Sequence, residues 1–336
     1  MKDVATATMA CGVCVEPGTF AVEDRPMPAD PPEGWVLLDV AAIGLCGTDY
    51  HIYEGNQPFL AYPRLIGHEL SGHVATGPDA GRLMVVNPYL SCGTCRACKR
   101  GKPNCCTGIA VLGVHRDGGM CARIAVPEGN LYPADGLTPE QAAMVEFLAI
   151  GAHAVARSGL GMGDLALVAG AGPIGIGTAL FARLAGAEVH LMDLSRDRLD
   201  LAAVACGFEH LHTPGPDILS GDLADGFDVV FDATGSARAI EAGFPLVAHG
   251  GSTVLVSVVK DDITFTDAEF HKREARIIGS RNALKADFDR VIAAIRDGEV
   301  PADALLSEVV PLADLPDRLP GLVADRNGII KAMVTP

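Results

Sequence analysis

The sequence predicts an α/β protein in which an irregular, mostly β domain is joined to a doubly wound parallel-sheet domain. Two observations carry this. Near residue 152 the texture changes from short β-like runs broken by Pro and Gly to a regular strand–helix–strand alternation, and such alternation implies a parallel sheet. The first strand of that alternation runs into Gly170-Ala-Gly172-Pro173-Ile174-Gly175, a G-x-G-x-x-G turn that opens a helix.

The elements follow in order. Residues 35–40 and 83–86 are β-like runs bounded by turn residues. Cys11 and Cys14 form an isolated C-x2-C with no partners at metal-ligand spacing, so they read as strand residues rather than a redox pair. Residues 165–169 form an apolar strand, 174–184 an Ala/Leu-rich helix, and 188–192 a second strand. A helix over 199–206 comes next, then buried strands over 227–231, 252–257 and 275–279, and a helix over 285–297. A chain of 336 residues is long enough for two hydrophobic cores, and it shows no internal repeat.

Charge narrows the partners. Forty-two acidic against 26 basic residues give a net charge of −16, which opposes nucleic acid and anionic lipid, since both need a positive patch. It leaves room for an anionic cofactor, which a helix N-terminus and a few arginines can hold locally. No run approaches the ~20 apolar residues of a membrane span. The first ten residues lack the apolar core of a signal peptide, so the expected address is the cytoplasm. Ten cysteines in such a chain point to metal binding or catalysis rather than disulfides.

Cys92, Cys95, Cys98 and Cys106 stand at C-x2-C-x2-C-x7-C spacing, with Gly93, Gly101, Pro103 and Asn104 supplying turns that can wrap an ion. Four thiolates this close can complete a tetrahedron around zinc with little loop-closure cost, and a closed set has no open position, so its role is structural. Cys105, next to Cys106, competes as the fourth ligand.

A second donor set precedes it. Cys46, His68 and Glu69 offer a thiolate, an imidazole and a carboxylate, the types that make an open, catalytic zinc site with water or substrate in the remaining position. Glu146 is a further candidate, because a carboxylate in the apolar stretch 143–149 is costly to bury unless it is paired or metal-bound. Thr48 and His51 follow Cys46 closely, and a hydroxyl followed by an imidazole can lead a proton from a metal-activated alcohol to solvent.

In the glycine turn, Gly170 permits the tight bend, Gly172 lets a pyrophosphate approach the backbone, and Gly175 lets helix pack on strand; Pro173 and Ile174 begin the helix whose N-terminus attracts the anion. Asp193 ends the next strand, where a carboxylate accepts from the adenosine ribose hydroxyls and repels a 2′-phosphate, favouring NAD over NADP. Arg196 and Arg198 weaken that exclusion, and Arg198 can instead pack near the adenine.

In this order, the three motifs resemble the zinc-containing medium-chain dehydrogenase/reductase superfamily over almost the whole chain. Within it the sequence is similar to the polyol and sugar-acid branch, on residues 58–66 before Gly67-His68-Glu69, 101–104, 110–119 and 280–283. The resemblance implies a GroES-like catalytic domain (1–151 and 280–336) split around a Rossmann domain (152–279). It implies two zinc ions per chain: a catalytic ion on Cys46, His68 and Glu69 with Glu146 near or on it, and a structural one whose fourth ligand is Cys106. Which of Glu69 and Glu146 completes the catalytic set stays open. Thr48 and His51 map onto the family's proton relay. The implied reaction moves a hydride between a secondary alcohol carbon of a small-molecule substrate and NAD. A sugar-acid substrate needs a cation for its carboxylate; Arg281 is the expected anchor, with Tyr53 and His115 as pocket members. A homodimer or homotetramer, associating through a sheet edge near residues 254–259, completes the expectation.

Overall fold

The structure, a computed structural model, describes residues 7–57, 60–325 and 327–336. Pro58 and Phe59, part of the segment that carried the resemblance, and the first six residues, on which the signal-peptide reading partly rests, lie outside the described residues. The chain divides into two compact units, residues 1–146 with 305–336, and residues 147–304.

The first unit is built around strand β1 (Trp35–Gly44). Its β-branched and aliphatic run favours extended backbone. β1 pairs antiparallel with β2 (Glu69–Val74), with Arg123–Pro127 and with Lys331–Thr335. Helix α1 (Gly47–Tyr53) follows β1 directly. Leu38, Ile43, Leu70, Val86, Val126 and Val334 are fully buried in one cluster, each such side chain stabilising the unit by roughly 1.5–3 kcal/mol. The register sets Gly44 opposite both Glu69 and Met333, so residues distant in sequence meet at the end of β1. A side chain on Gly44 would come within 2.1 Å of a Glu69 carboxylate oxygen; glycine there makes room for that carboxylate.

Helix α2 (Val145–Ser158) leads into the second unit. There six parallel strands, counted among the described residues, stand in the order β5 (His210–His212), β4 (Glu188–Met192), β3 (Leu165–Ala169), β6 (Phe227–Asp232), β7 (Val247–Leu255), β8 (Arg276–Gly279). The order reverses beside β3, the switch point at which such sheets bind nucleotides. Helix α3 (Pro173–Leu184) joins β3 to β4, with Pro173 at its first turn and Ile176, Ala179, Leu180 and Phe181 buried.

Three boundaries differ from the sequence reading. The helix expected at 199 starts at Arg196, because the Ser195 hydroxyl accepts from the Arg198 N–H and caps it. The strand expected over 252–257 starts at Val247. The second domain extends to residue 304 rather than 279 and begins at 147 rather than 152. Helix α4 (Lys285–Arg296) explains the first change: it buries Phe288, Val291, Ile292 and Ile295, its Asp287 carboxylate meets His153 Nδ1 at 2.8 Å, and Arg290 lies over the Phe181 ring. The sheet edge expected near 254–259 is also displaced: Val254 is buried in β7, and β8 is the outer strand. No helix among the described residues is long and apolar enough to cross a membrane.

Candidate active site

The end of β1, the start of α1 and the start of β2 bring Cys46, His68 and Glu69 together. Their donor atoms all lie within 4.8 Å of one another. Cys46 is the N-cap of α1, and the helix begins there because the Asp49 carboxylate, three residues on, accepts from the Cys46 N–H at 3.0 Å. The other Asp49 oxygen accepts from the Gly67 N–H at 3.3 Å and stands 3.8 Å from His68 Nδ1. That nitrogen is buried without a hydrogen-bond partner. A carboxylate behind a histidine is what fixes the ring of a metal-ligating imidazole.

Behind Glu69 lies Lys331. It is buried, and its Nζ donates to both Glu69 oxygens at 2.8 and 2.6 Å and to the Leu45 carbonyl at 3.1 Å. Glu146 stands outside the trio: its buried carboxylate accepts from the Tyr89 hydroxyl.

The electrostatics ask for a cation. Burial raises the Asp49 carboxyl above its usual range and pushes Glu146 up to about 7. Burial opposes a charged His68, yet Asp49 and Cys46 outweigh it and hold the imidazole well above its ordinary value. Three carboxyl groups and a thiol thus share the interior with one lysine, and protons must stand in where positive charge is short. Soft and borderline donors and this excess of negative groups suit a zinc ion.

The four-cysteine loop is the second cluster. Cys92, Cys95, Cys98 and Cys106 have sulfurs within 4.8 Å of one another, while Cys105 is exposed and outside the group. The Cys92 N–H donates to Cys106 Sγ and the Cys95 N–H to Cys92 Sγ, both at 3.3 Å. Backbone N–H groups of Cys98 and Thr107 draw the Cys95 thiol down to about 5, and hydrogen bonds centred on Thr94 draw Cys92 to about 7. Cys98, desolvated beside those sulfurs, is pushed up to about 11. Alone, the cluster ionises only in part; a divalent cation lets all four sulfurs carry charge.

In the second unit the glycine turn bends as its sequence demands. Gly170 adopts φ +99°, and a Cβ on Gly175 would fall 1.7 Å from the Gly170 carbonyl oxygen. A Cβ on Gly172 would meet nothing within 4 Å, so packing does not require glycine there, and the open space suits an approaching phosphate. Pro173 and Ile174 occupy the first turn of α3. Asp193 accepts from the Ala171 N–H at 2.7 Å and the Ser195 N–H at 2.8 Å, and Arg198 Nη1 lies 3.9 Å from it. The carboxylate therefore also braces the turn, and Arg198 faces it.

The remaining candidates fall differently. Thr48 lies in the first turn of α1 and His51 one turn later, exposed, with Nδ1 3.4 Å from Glu54. Tyr53 packs half-buried against the core of the first unit, which gives it a packing role. His115 is exposed and its Nδ1 accepts from the Val111 N–H at 3.1 Å, which ties the ring to its own loop. Arg281 is exposed in the second unit, just after β8.

Comparison with known proteins agrees with this geometry. Residues 32–136 match the alcohol dehydrogenase GroES-like domain and residues 173–297 the zinc-binding dehydrogenase domain. The chain is 38% identical over 342 residues to an L-galactonate-5-dehydrogenase of Escherichia coli K12, covering 98% of this chain and 99% of that one. It belongs to the zinc-binding alcohol dehydrogenases. A 2-dehydro-3-deoxy-L-galactonate 5-dehydrogenase of Pseudoalteromonas atlantica is 32% identical, covering 90% and 92% of the two chains. An alcohol dehydrogenase of Escherichia coli CFT073, solved with NADH, superposes with a TM-score of 0.90 at 27% identity, covering 98% and 99%. As a zinc-binding dehydrogenase the protein is an oxidoreductase acting on a small-molecule substrate, with the GroES-like and nucleotide-binding folds that its motifs implied.

In this dehydrogenase, sequence reasoning missed Asp49, Tyr89 and Lys331. Asp49 had a local signal, an acid three residues into a helix that starts at Cys46. Lys331 had a weaker one, a single charge in the apolar run 329–334.

Proposed function

We propose that this dehydrogenase oxidises a secondary alcohol of a sugar acid of the L-galactonate or L-gulonate type, with NAD as hydride acceptor. The observation that carries the chemistry is the convergence of half-buried Cys46 with buried His68 and Glu69, with an excess of acidic groups around them. The substrate class rests on the likeness, over nearly the full chain, to the L-galactonate-5-dehydrogenase.

Cys46, His68 and Glu69 would hold the catalytic zinc, with Glu146 beside it, and Cys92, Cys95, Cys98 and Cys106 the structural ion. When bound, the catalytic zinc supplies a Lewis acid that makes the substrate hydroxyl more acidic, and NAD supplies the hydride acceptor. Lys331 holds the Glu69 carboxylate in place, and Asp49 orients His68. Thr48 takes the hydroxyl proton and passes it towards His51, three residues on along the same face of α1, where the exposed ring gives it to solvent. Gly170, Gly172 and Gly175, with Pro173 and Ile174 opening α3, hold the pyrophosphate on the helix N-terminus. Asp193 accepts from the ribose hydroxyls and disfavours a 2′-phosphate, with Arg198 beside it towards the adenine. NADH bound in the structural relative supports the same cofactor here. Arg281 anchors the substrate carboxylate.

The protein is read as a cytoplasmic homodimer or homotetramer. All ten cysteines are unpaired, which suits a reducing compartment, and β8 carries Ile277 exposed on the outer edge of its sheet. Light scattering tests the oligomer.

The deciding experiment sets L-galactonate, L-gulonate, sorbitol and threonine side by side with NAD and follows NADH. The sugar acids should show a kcat/KM at least about tenfold above sorbitol and threonine, a difference of ~1.4 kcal/mol. Arg281→Ala should raise KM for the acids and leave sorbitol unchanged. Preference for a neutral substrate, or equal effects of Arg281→Ala on both, would overturn the assignment.

A further inference from the structure

At the free edge of the parallel sheet, β4 carries one histidine and β5 two at alternate positions. Glu188, His190 and Met192 alternate along β4, and His210 and His212 along β5. The register pairs His190 with His210 and Met192 with His212. Because strand side chains alternate with period two, Glu188, His190, His210 and His212 all lie on one face of this two-strand edge. The His190 and His210 rings stack with centroids 4.5 Å apart, and the His212 ring lies edge to edge with His190, centroids 5.1 Å apart and planes 15° apart. A Glu188 oxygen lies 3.0 Å from His190 Nε2 and 3.9 Å from His210 Nε2.

We propose that Glu188, His190 and His210 form a binding site for a divalent transition-metal ion of the zinc, nickel or copper type, sharing no residue with the two zinc clusters of this dehydrogenase. Their donor atoms lie within 4.8 Å of one another. Donors held 2.0–2.2 Å from a tetrahedral zinc stand about 3.3 Å apart, and the 3.0 and 3.9 Å separations bracket that spacing. Two imidazoles and one carboxylate select borderline ions over magnesium or calcium, and three protein ligands leave a position for water. Solvent reaches the site through His210 and Glu188, which are about half exposed, while His190 is buried and fixed edge-on against Phe227.

His212 supplies the support that such a site needs. His190 Nδ1 and His212 Nε2 are 2.8 Å apart. Without metal, His190 donates from Nε2 to Glu188 and accepts from His212 at Nδ1. To coordinate, His190 carries its proton on Nδ1 and donates it to His212 Nε2, whose own proton moves to Nδ1; no proton is lost and Nε2 is freed for the ion. A partner on the second ring nitrogen is the usual companion of a metal-bound histidine.

The site stands apart from the nucleotide turn. Gly170 and Asp193 lie at the carboxyl ends of β3 and β4, whereas His190 and Glu188 precede Asp193 by about 10–16 Å of extended strand. Substituting the two exposed ligands should therefore leave dehydrogenase turnover intact.

The test uses the purified holoenzyme with its resident zinc in place. Nickel is titrated in by calorimetry, and zinc and nickel contents are read by atomic emission after gel filtration. One equivalent of nickel beyond the resident zinc is expected for the native protein. The double variant Glu188→Gln/His210→Gln should lose that equivalent, or bind it at least about a hundredfold more weakly, while keeping its zinc and its turnover. His212→Ala should keep the stoichiometry and weaken binding roughly ten- to a hundredfold. No uptake by the native protein, uptake by displacement of resident zinc, or equal uptake by the double variant would overturn the proposal.

Discussion

The four-cysteine loop and the Cys46–His68–Glu69 site solve one electrostatic problem in opposite ways. The loop keeps its donors close in sequence, leaves Cys92 exposed, and steadies the sulfurs with its own backbone N–H groups. The trio is assembled from the starts of α1 and β2, with His68 and Glu69 buried and Cys46 half-buried, so its charges are steadied by other side chains, Asp49 behind His68 and Lys331 behind Glu69, with Tyr89 on the neighbouring Glu146. Water helps hold charge in the first cluster. In the second, each removed partner leaves a charge stranded in the interior, where one unpaired group costs several kcal/mol. Metal clusters of similar donor count should therefore respond differently to single substitutions.

The sharpest break in that comparison is between two cysteines. Cys46→Ser should lower kcat by at least about a thousandfold, ~4 kcal/mol of barrier, with a melting temperature close to the native one. Cys98→Ser should do the reverse, lowering the melting temperature by roughly 5 °C or more while each folded molecule keeps most of its turnover. Steady-state kinetics beside calorimetric melting checks both; the same pattern for the two variants would erase the distinction between a catalytic and a structural ion.

Next in size is Lys331→Met. It leaves Glu69 buried without its cation and should cost about 3–5 kcal/mol in urea unfolding. Adding Glu69→Gln should recover part of that loss, since the stranded charge is then gone. A double variant less stable than Lys331→Met would mean that the pair is not what the lysine is for.

The same contrast explains what could be read from the sequence. The loop was legible because all its donors sit in one short segment, and spacing alone states the geometry. The nucleotide turn was legible because Gly170 to Gly175 follow a strand and open a helix within a few residues. The trio's residue types were legible, but its support was not. Lys331 is 262 positions from Glu69 and Tyr89 is 57 from Glu146, and only the antiparallel register of β1 with its neighbours brings Lys331 home. Helix α4 was visible as an amphipathic segment, yet amphipathicity does not say which core a helix covers, so its unit was misassigned. His210 and His212 alternate in the sequence, but nothing there ties His190 to them; it is the parallel pairing of β4 with β5 that brings the three into one cluster. Tyr53, expected as a pocket member beside Arg281, packs half-buried against the core of the first unit.

Smaller effects probe the carboxylates. In the zinc-free protein Glu146 holds its proton up to about pH 7, whereas the unfolded chain releases it near 4.5, chiefly because burial disfavours the carboxylate. The folded state thus binds the proton more tightly, and this group's contribution to stability is full below 4.5 and lost as pH rises through about 7. Tyr89→Phe removes a donor to that carboxylate, which should extend the losing limb to higher pH and cost roughly 1–3 kcal/mol at pH 8. Glu146→Gln should flatten the limb altogether. Urea unfolding of zinc-free protein from pH 5 to 8 reads both; a native limb that is already flat would show that Glu146 does not titrate there.

The least effect belongs to an ion pair with better geometry than most. Arg318 donates from Nε and Nη2 to the two Glu308 oxygens at 2.6 and 2.7 Å, as short as the bonds between Lys331 and Glu69. Both partners, however, sit in water, with 44% and 28% of their side chains exposed. Solvent already satisfies each charge in the unfolded chain and screens the pair in the folded one. Arg318→Ala should leave the unfolding midpoint within experimental scatter. A loss approaching that of Lys331→Met would show that distance, rather than burial, sets the worth of an ion pair in this protein, and the contrast between the exposed loop and the buried trio would lose its physical basis.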